Sequence, residues 1–173
     1  MLAAFGGFEA VKPKAIKEDV QTIIEKGKCF YPVDKGGNPL RSTEIRVRFC
    51  ETDALGHVNN TSYFAYLEEA RLDFLEETHL DHCFILASTR CDFVAQAYYN
   101  QKLVVTTSIK KIGTKSFTLS HEIINKYSSK LIAQAEAVVV YFNFDTQESE
   151  PLPQELRNFL RQHLEETESV KRK

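Results

Sequence analysis

The order of patterns along the sequence predicts an α+β domain in which a curved antiparallel sheet of about five strands wraps around one central helix. Three observations predict this class. An alternating, strand-like segment precedes a helix that is apolar over a wide arc, four strand-like segments follow that helix, and short turns join some of them as hairpins. A helix that is apolar over so wide an arc needs cover on most of its circumference, and a curved sheet provides it.

The first strand is predicted at residues 44–50, where apolar and charged residues alternate. Its buried face consists of Ile45, Val47 and Phe49. The central helix is predicted from about Thr61 to Glu77. Its side chains recur every three or four residues and form two adjacent stripes. One stripe contains Phe64, Leu67, Arg71 and Leu75, and the other contains Tyr63, Tyr66, Ala70 and Phe74.

Four further strands are predicted near residues 84–95, 102–112, 115–125 and 131–144. The dipeptides at 113–114 and 128–129 are short enough to connect hairpins. The apolar run at 138–142 predicts burial on both faces of the last strand. Pro153 suits the first turn of a C-terminal helix. The apolar residues of that helix are Leu156, Phe159, Leu160 and Leu164.

A chain of 173 residues is long enough for one domain and a short appendage. We assign the domain to residues 43–166, an N-terminal extension to residues 1–42 and a frayed tail to residues 167–173. Pro13 can open a short helix in the extension, and repeated Gly and Pro residues then predict a linker. We expect the extension to pack on the domain or on a partner.

Composition excludes several function classes. The chain carries 22 basic and 24 acidic residues, a net charge of −2, which argues against a basic nucleic-acid-binding domain but is compatible with a local basic patch. No apolar run approaches the roughly 20 residues of a membrane span. The four cysteines lack metal-binding or redox spacing, and the N-terminus lacks a secretory or mitochondrial pattern. We therefore expect a cytoplasmic protein with reduced thiols.

The loop at residues 51–60 is the most informative stretch, because polar residues collect there just before the apolar helix. A helix start offers free N–H groups and the positive end of the helix dipole. One interpretation is purely structural: Asn59 or Asn60 caps the helix, Gly56 takes an unusual backbone angle, and Asp53 closes an Asx-turn. The other interpretation is that this loop carries a reaction site.

Residues 47–71 contain a Thr-Asp-Ala-Leu-Gly-His-Val-Asn-Asn core, a Tyr three residues later, and a Glu-Glu-Ala-Arg segment in the helix. These motifs, a following Ile-Gly-Thr-Lys-Ser-Phe-Thr-Leu hairpin and a Pro-Leu-Pro at 151–153 resemble the 4-hydroxybenzoyl-CoA thioesterase family of hotdog acyl-CoA thioesterases. The resemblance covers roughly residues 44–162. It implies a hotdog fold and hydrolysis of an acyl-CoA to a free acid and CoA, without metal or organic cofactor.

The resemblance also implies roles for single residues. Asp53 matches the catalytic carboxylate, which attacks the thioester carbonyl or activates a water. The backbone N–H of Asn60 matches the helix-start donor that polarises the thioester oxygen. His57 matches the histidine of the core motif, for which we weigh an acid-base role against packing or hydrogen bonding. Glu68 is a candidate second acid, with a salt bridge to Arg71 or Arg90 as the alternative.

A CoA ester carries several phosphate charges, so basic residues near the pocket would help to bind it. Ordinary solvated lysines at a turn are an equally good interpretation of the cluster around Gly113. No metal-ligand spacing occurs, and we predict no metal. The candidate substrate-binding residues are Gly56, Asn59, Tyr63, Arg90, Lys110, Lys111 and Lys115.

The main alternative function is a non-catalytic acyl-CoA-binding regulator that acts beside a DNA-binding segment. The extension, with one clear helix and with seven basic against five acidic residues, is too small and too weakly basic for such a segment. A hydratase acting on the acyl chain is less favoured, because no suitable acid-base pair is identifiable.

We expect a homodimer or a tetramer with sites at the dimer interface, and no nucleic-acid partner. The acyl chain length, the choice between a CoA ester and an acyl-carrier-protein ester, and the choice between nucleophile and general base for Asp53 stay open.

Overall fold

The computed structural model describes residues 41–79 and 83–165. The predicted extension at 1–42, apart from its last two residues, and the predicted tail at 167–173 lie outside the described residues. The described part forms an antiparallel sheet, a central helix α1 (Asn60–Glu76) and a C-terminal helix α2 (Gln154–Gln162). No helix in this part of the chain is long and apolar enough to cross a membrane.

The five main strands pair in the spatial order β1-β3-β4-β5-β2, and the short β6 pairs with β5. Every pairing is antiparallel. The predicted α+β class, with about five strands around one helix, is confirmed, and the arrangement is the hotdog fold that the resemblance implies. The strands are β1 (Arg41–Arg46), β2 (Phe84–Phe93), β3 (Lys102–Ile112), β4 (Ser116–Asn125), β5 (Leu131–Asn143) and β6 (Glu148–Ser149).

Both predicted hairpins are present: β3 leads directly into β4, and β4 leads directly into β5. Bulges interrupt the β3–β4 register between Ile109 and Lys111 and the β2–β5 register between Leu86 and Ser88. A bulge bends a strand and increases its twist. These irregularities therefore help the sheet to curve around the helix.

Helix α1 buries its apolar side against the concave face of the sheet. The second predicted stripe is wholly buried, whereas the first is interrupted, because the Phe64 side chain is 40% exposed. The six buried residues of α1 are Tyr63, Tyr66, Leu67, Ala70, Phe74 and Leu75. The helix begins one residue earlier than predicted, at Asn60.

The buried residues fall into two clusters. The first lies under the N-terminal half of α1 and includes Tyr63, Leu67 and residues of β1, β3 and β5. The second joins the C-terminal half of α1 to Leu156 and Leu160 of α2. Helix α2 therefore closes one end of the structure, with Pro153 at its N-cap.

Two predictions about burial are wrong. The first strand ends at Arg46, and Phe49 turns outward in a short 3₁₀ turn (Phe49–Glu51), where it is 77% exposed. The turn forms because the carboxylate of Glu51 accepts hydrogen bonds from the backbone and side chain of Arg48. In β5, residue Val139 is buried but Val138 and Val140 are only half-buried, since one face of this strand lies away from α1.

A polar seam separates the two core clusters. His121 is 1% exposed, its Nδ1 lies 3.1 Å from the hydroxyl of Thr107, and its Nε2 has no hydrogen-bond partner in the described part of the chain. Burial and, to a smaller extent, the neighbouring positive charge of Arg71 lower the pKa of His121 to about 4, against a backbone hydrogen bond to Thr106 that raises it. The imidazole is therefore neutral in the folded protein near pH 7.

We expect His121 to make the protein sensitive to mild acid. Between its ordinary pKa of 6.5 and the folded value of about 4, the unfolded chain binds a proton that the folded chain does not. The free energy of unfolding should therefore fall in this window as the pH falls, with a contribution from His121 of up to about 1.4 kcal/mol per pH unit. Urea titrations at several pH values measure this slope. His121→Gln should show a shallower slope, and an unchanged slope would contradict this account.

Candidate active site

The Asp53 carboxylate is held inside a tight loop between β1 and α1. Its Oδ1 accepts hydrogen bonds from the backbone N–H groups of Leu55 at 2.8 Å and His57 at 3.1 Å. The Asp53 N–H donates to the His57 carbonyl at 2.8 Å, and a bridge between Thr52 and Val58 closes the loop. The predicted Asx-turn is thus confirmed. In the described part of the chain no hydrogen bond uses Oδ2, and the side chain is half-exposed.

The loop depends on Gly56, whose φ of +81° lies in the left-handed region. Side chains with a Cβ rarely adopt such angles, so the predicted unusual backbone angle is confirmed. The N–H of Gly56 donates to the Asp53 carbonyl at 3.0 Å. Gly56 therefore allows the chain to reverse within the loop and return towards the helix.

The helix start follows three residues after Gly56. Asn59 is the N-cap, and its side-chain oxygen accepts hydrogen bonds from the N–H of Thr61 at 3.0 Å and from the Thr61 hydroxyl at 2.9 Å. Asn60 is the first helical residue and is exposed. Its N–H lacks an acceptor among the described residues, as is usual for the first turn of a helix. This loop therefore presents a carboxylate and a free helix-start N–H in one short segment.

Sequence reasoning missed Glu51, which ties the loop to the helix. Its carbonyl accepts hydrogen bonds from the Asn59 N–H at 2.8 Å and the Ser62 hydroxyl at 3.0 Å. Its carboxylate accepts hydrogen bonds at 2.7 Å from the Arg48 N–H, the Arg48 Nε and the Tyr66 hydroxyl. The spacing of three residues between Arg48 and Glu51 was a signal for an ion pair, but it did not indicate that the carboxylate points inward.

The charge of Glu51 is compatible with its burial because it has these donors. Burial raises the pKa of the carboxyl, but the hydrogen bonds from Arg48 and Tyr66 outweigh burial and hold the pKa below its ordinary value. Burial and the adjacent negative charge of Glu51 raise the pKa of the Tyr66 hydroxyl. The pair therefore stays a carboxylate and a neutral phenol at neutral pH.

Aromatic side chains surround the loop. The His57 ring contacts the Tyr98 ring edge-on at 5.3 Å, and a backbone bridge joins the same two residues. Tyr63 is 3% exposed and packs against Phe93 at 5.1 Å between ring centres, so its ring belongs to the core. Large apolar side chains also lie exposed around this end of the molecule: Phe49, Leu55, Phe64, Phe93, Val94, Tyr98 and Tyr99. We refer to these seven side chains together as the exposed apolar surface near the Asp53 loop.

The remaining candidate residues lie elsewhere in the chain. Glu68 is two turns along α1 from Asn60, with 65% of its side chain exposed, and its carboxylate lies 4.0 Å from the Arg71 guanidinium. Arg90 lies on β2 and pairs with Asp92 at 3.1 Å. The salt-bridge alternative for Glu68 is therefore realised only weakly with Arg71, and Arg90 has another partner.

The three candidate lysines flank the β3–β4 hairpin. Lys110 pairs with Glu136, Lys115 donates to Ser149, and Lys111 is exposed without an ion-pair partner among the described residues. The N–H of Asn100 donates to the Val47 carbonyl, so β3 begins at the end of the sheet that lies next to the Asp53 loop, called here the Asp53 end. From there β3 runs eleven residues to this hairpin. At about 3.3 Å per residue, the lysines lie roughly 30 Å from the Asp53 end within one chain.

A groove of about 460 Å³ runs between the second half of α1 and β2. Glu68 and Arg71 lie in it beside apolar Leu72 and Leu86. The Arg71 side chain is only 11% exposed, and burial lowers the pKa of its guanidinium while Glu68 raises it. No group of three or more metal-ligating side chains occurs in the described ranges.

Comparison with known proteins gives a consistent result. A family model described as the thioesterase-like superfamily matches residues 47–160, more than half of the chain. The long-chain acyl-CoA thioesterase FadM of Escherichia coli K12 is 31% identical over 127 residues, which cover 69% of this chain and 96% of that protein. The residues that match the family model include the Asp53 loop, α1 and most of the sheet.

Two solved structures share the fold. A predicted thioesterase from Bacillus stearothermophilus superposes with a TM-score of 0.67 at 32% identity, and the match covers 74% of this chain and 98% of that chain. A 1,4-dihydroxy-2-naphthoyl-CoA thioesterase from Synechocystis superposes with a TM-score of 0.63 at 25% identity, and the match covers 69% and 94% of the two chains.

We expect Gly56→Ala to destabilise the protein by about 1 kcal/mol, because a Cβ is strained at this backbone angle. No atom lies within 4 Å of the position that the Cβ would take, so the cost is one of backbone conformation alone. Gly56→Asn is the matched control and should cost less, since Asn tolerates positive φ. Urea unfolding measures both variants. An alanine variant as stable as the wild type would contradict the backbone account.

Proposed function

Because this chain belongs to the thioesterase-like superfamily, we propose that it hydrolyses an acyl-CoA thioester to a free carboxylic acid and CoA, with Asp53 as the catalytic carboxylate. The observation that carries the proposal is the Asp53 loop, which joins an oriented carboxylate to the start of a helix. The names of the relatives, which include acyl-CoA thioesterases, support the same substrate class.

In this reaction an Asp53 oxygen either attacks the thioester carbonyl or takes a proton from the water that attacks it. The carbonyl oxygen gains negative charge, the carbon–sulfur bond breaks, and CoA leaves as a thiolate that takes up a proton. Direct attack would form an anhydride with Asp53, which water then hydrolyses. In both routes the atoms of one water molecule end in the acid and the thiol.

The helix start supplies the matching electrostatics. The free N–H of Asn60 can donate a hydrogen bond to the oxygen that gains charge, and the positive end of the α1 dipole lies at the same point. The two N–H groups on Oδ1 orient the Asp53 carboxylate and leave Oδ2 available for the reaction. In this proposal one short loop supplies both the carboxylate and the oxyanion donor.

The other motif residues support this loop in our proposal. Gly56 sets its backbone, Asn59 caps the helix, and Tyr63 packs beneath the first turn. His57 contacts Tyr98, which favours packing over acid-base chemistry for this histidine. Glu68 is a candidate second acid that would act from the groove beside β2.

A second copy of the chain would complete the site. Among the described residues, strand β2 pairs only with β5, and its other edge is a ten-residue row of backbone groups with which a partner could pair. Antiparallel pairing of two β2 edges about a two-fold axis would bring the β3–β4 hairpin of one copy to the same end of the joined sheet as the helix start of the other.

This dimer gives the basic residues a role. The CoA phosphates would meet Arg90 on the edge strand and the partner's hairpin lysines, Lys110, Lys111 and Lys115. The exposed apolar surface near the Asp53 loop would be covered in the same assembly. A cytoplasmic location and a packing role for residues 1–42 stay predictions.

We expect Asp53→Asn to lower kcat for acyl-CoA hydrolysis by at least ~100-fold with little change in KM, because the amide cannot attack or accept the proton. Release of free thiol from a panel of aliphatic and aromatic acyl-CoA esters measures the rate. Asp145→Asn makes the same chemical change in an exposed turn and should keep wild-type activity. Unchanged hydrolysis in Asp53→Asn would contradict the role of Asp53, and no hydrolysis of any ester by the wild type would contradict the function.

We also expect the active protein to be at least a dimer. Light scattering coupled to size exclusion should give a mass at least twice that of the chain, and the specific activity should fall when the protein is diluted until dimers dissociate. A monomer with undiminished activity would contradict a site shared between copies.

A further inference from the structure

We propose that Glu51 is a positioning residue for thioester hydrolysis: it holds Asp53 in register with the start of α1 and does not itself touch the substrate. The inference rests on the function proposed for Asp53. Glu51 lies two residues before Asp53 and eight before Asn59, so it is well placed to join the two parts of the site.

The Asp53 side chain does not make this connection itself. Its hydrogen bonds go to Leu55 and His57, both inside the same loop. They shape the loop but leave its orientation towards the helix to other contacts. These contacts include the Thr52–Val58 and His57–Tyr98 bridges, the hydrogen bond from the Val58 N–H to the Ala97 carbonyl, and those of Glu51.

Glu51 holds the helix start at two levels. Its carbonyl receives the N–H of the N-cap Asn59 and the hydroxyl of Ser62, which fixes the first turn of α1 against residue 51. Its carboxylate receives the hydroxyl of Tyr66, one turn further along the same helix. Two attachments about one turn apart restrain both the position and the tilt of the helix relative to the loop.

The third set of contacts anchors Glu51 to the strand side. The Arg48 N–H and the Arg48 guanidinium both bond to the Glu51 carboxylate. Each Glu51 oxygen therefore has at least one donor, and the side chain is buried. A carboxylate in this setting cannot reach a substrate or take a proton without breaking the network, which excludes it as the general base in this geometry.

Removing the Glu51 carboxylate should therefore impair catalysis while it leaves substrate binding in place. A displacement of about 1 Å between reacting groups can cost ~100-fold in rate. We expect Glu51→Ala to lower kcat by roughly that order, with KM nearly unchanged. Glu51→Gln, which keeps one acceptor oxygen but turns an amide group towards Arg48, should lower kcat less than Glu51→Ala does.

The experiment compares Glu51→Ala, Glu51→Gln, Tyr66→Phe and the double variant Glu51→Ala/Tyr66→Phe in the full chain. The double variant removes both ends of one buried hydrogen bond and so leaves neither partner unsatisfied. Because the two residues act through one contact, its kcat should equal that of Glu51→Ala rather than the product of the two single effects. Glu69→Gln, the same chemical change at an exposed position of α1, is the matched control. Rates are compared at a temperature at which thermal unfolding shows every variant to be folded.

Three results overturn the proposal, and they are distinguishable. Wild-type kcat in the folded Glu51 variants, with Asp53→Asn inactive, leaves the proposed function standing and removes the positioning role. Loss of the acidic limb of the pH–kcat profile in Glu51→Gln would make Glu51 the titrating group instead; the positioning role requires an unchanged profile. A wild-type protein that releases thiol from no acyl-CoA overturns the proposed function and this inference with it.

Discussion

The burial of α1 against the concave face of the sheet is the constraint on which the rest of the structure depends. Six side chains of this helix are buried, and they contact both core clusters. A flat sheet would cover a narrower arc of the helix, so the strands bulge and curve around it. The end that the sheet leaves open is closed by α2 through Leu156 and Leu160. The sheet and α2 are therefore arranged so that together they cover the apolar side of α1.

Fixing the helix in the sheet also fixes where its first turn emerges. The N-terminal cluster packs under Tyr63 and reaches the loop through Val58 and Ala97, so core packing continues up to the Asp53 loop. Glu51 then connects the end of the strand segment to that first turn. A helix start with free N–H groups is common, but here a hydrogen-bonded carboxylate lies in the loop that leads directly into it.

The core is not apolar throughout, and its polar seam separates the cluster that supports the Asp53 loop from the cluster that packs against α2. His121 and Thr107 lie between the two clusters, and the largely buried Arg71 leads from them towards the groove beside β2. The first cluster, under the N-terminal half of α1, packs below the Asp53 loop, and the second cluster, under the C-terminal half, contains Leu156 and Leu160 of α2. A buried cation beside a histidine tends to keep that histidine neutral, which suits an interior that contains few other polar groups.

By itself, the sequence determined the features that rest on local chemistry. Alternation predicted the strands, and spacing of three and four predicted α1. Turn and cap preferences predicted the backbone angle of Gly56, a cap at Asn59 or Asn60, and the Asx-turn of Asp53. Only the tertiary structure decided which way side chains point where neighbours compete. Phe49 has the apolar pattern of a buried residue yet is exposed, because the carboxylate of Glu51 takes the inward position, with donors from Arg48 after the end of β1 and from Tyr66 of α1. The separation of the hairpin lysines from Asp53 was likewise invisible in sequence, since strand pairing rather than spacing along the chain sets the distance between sites.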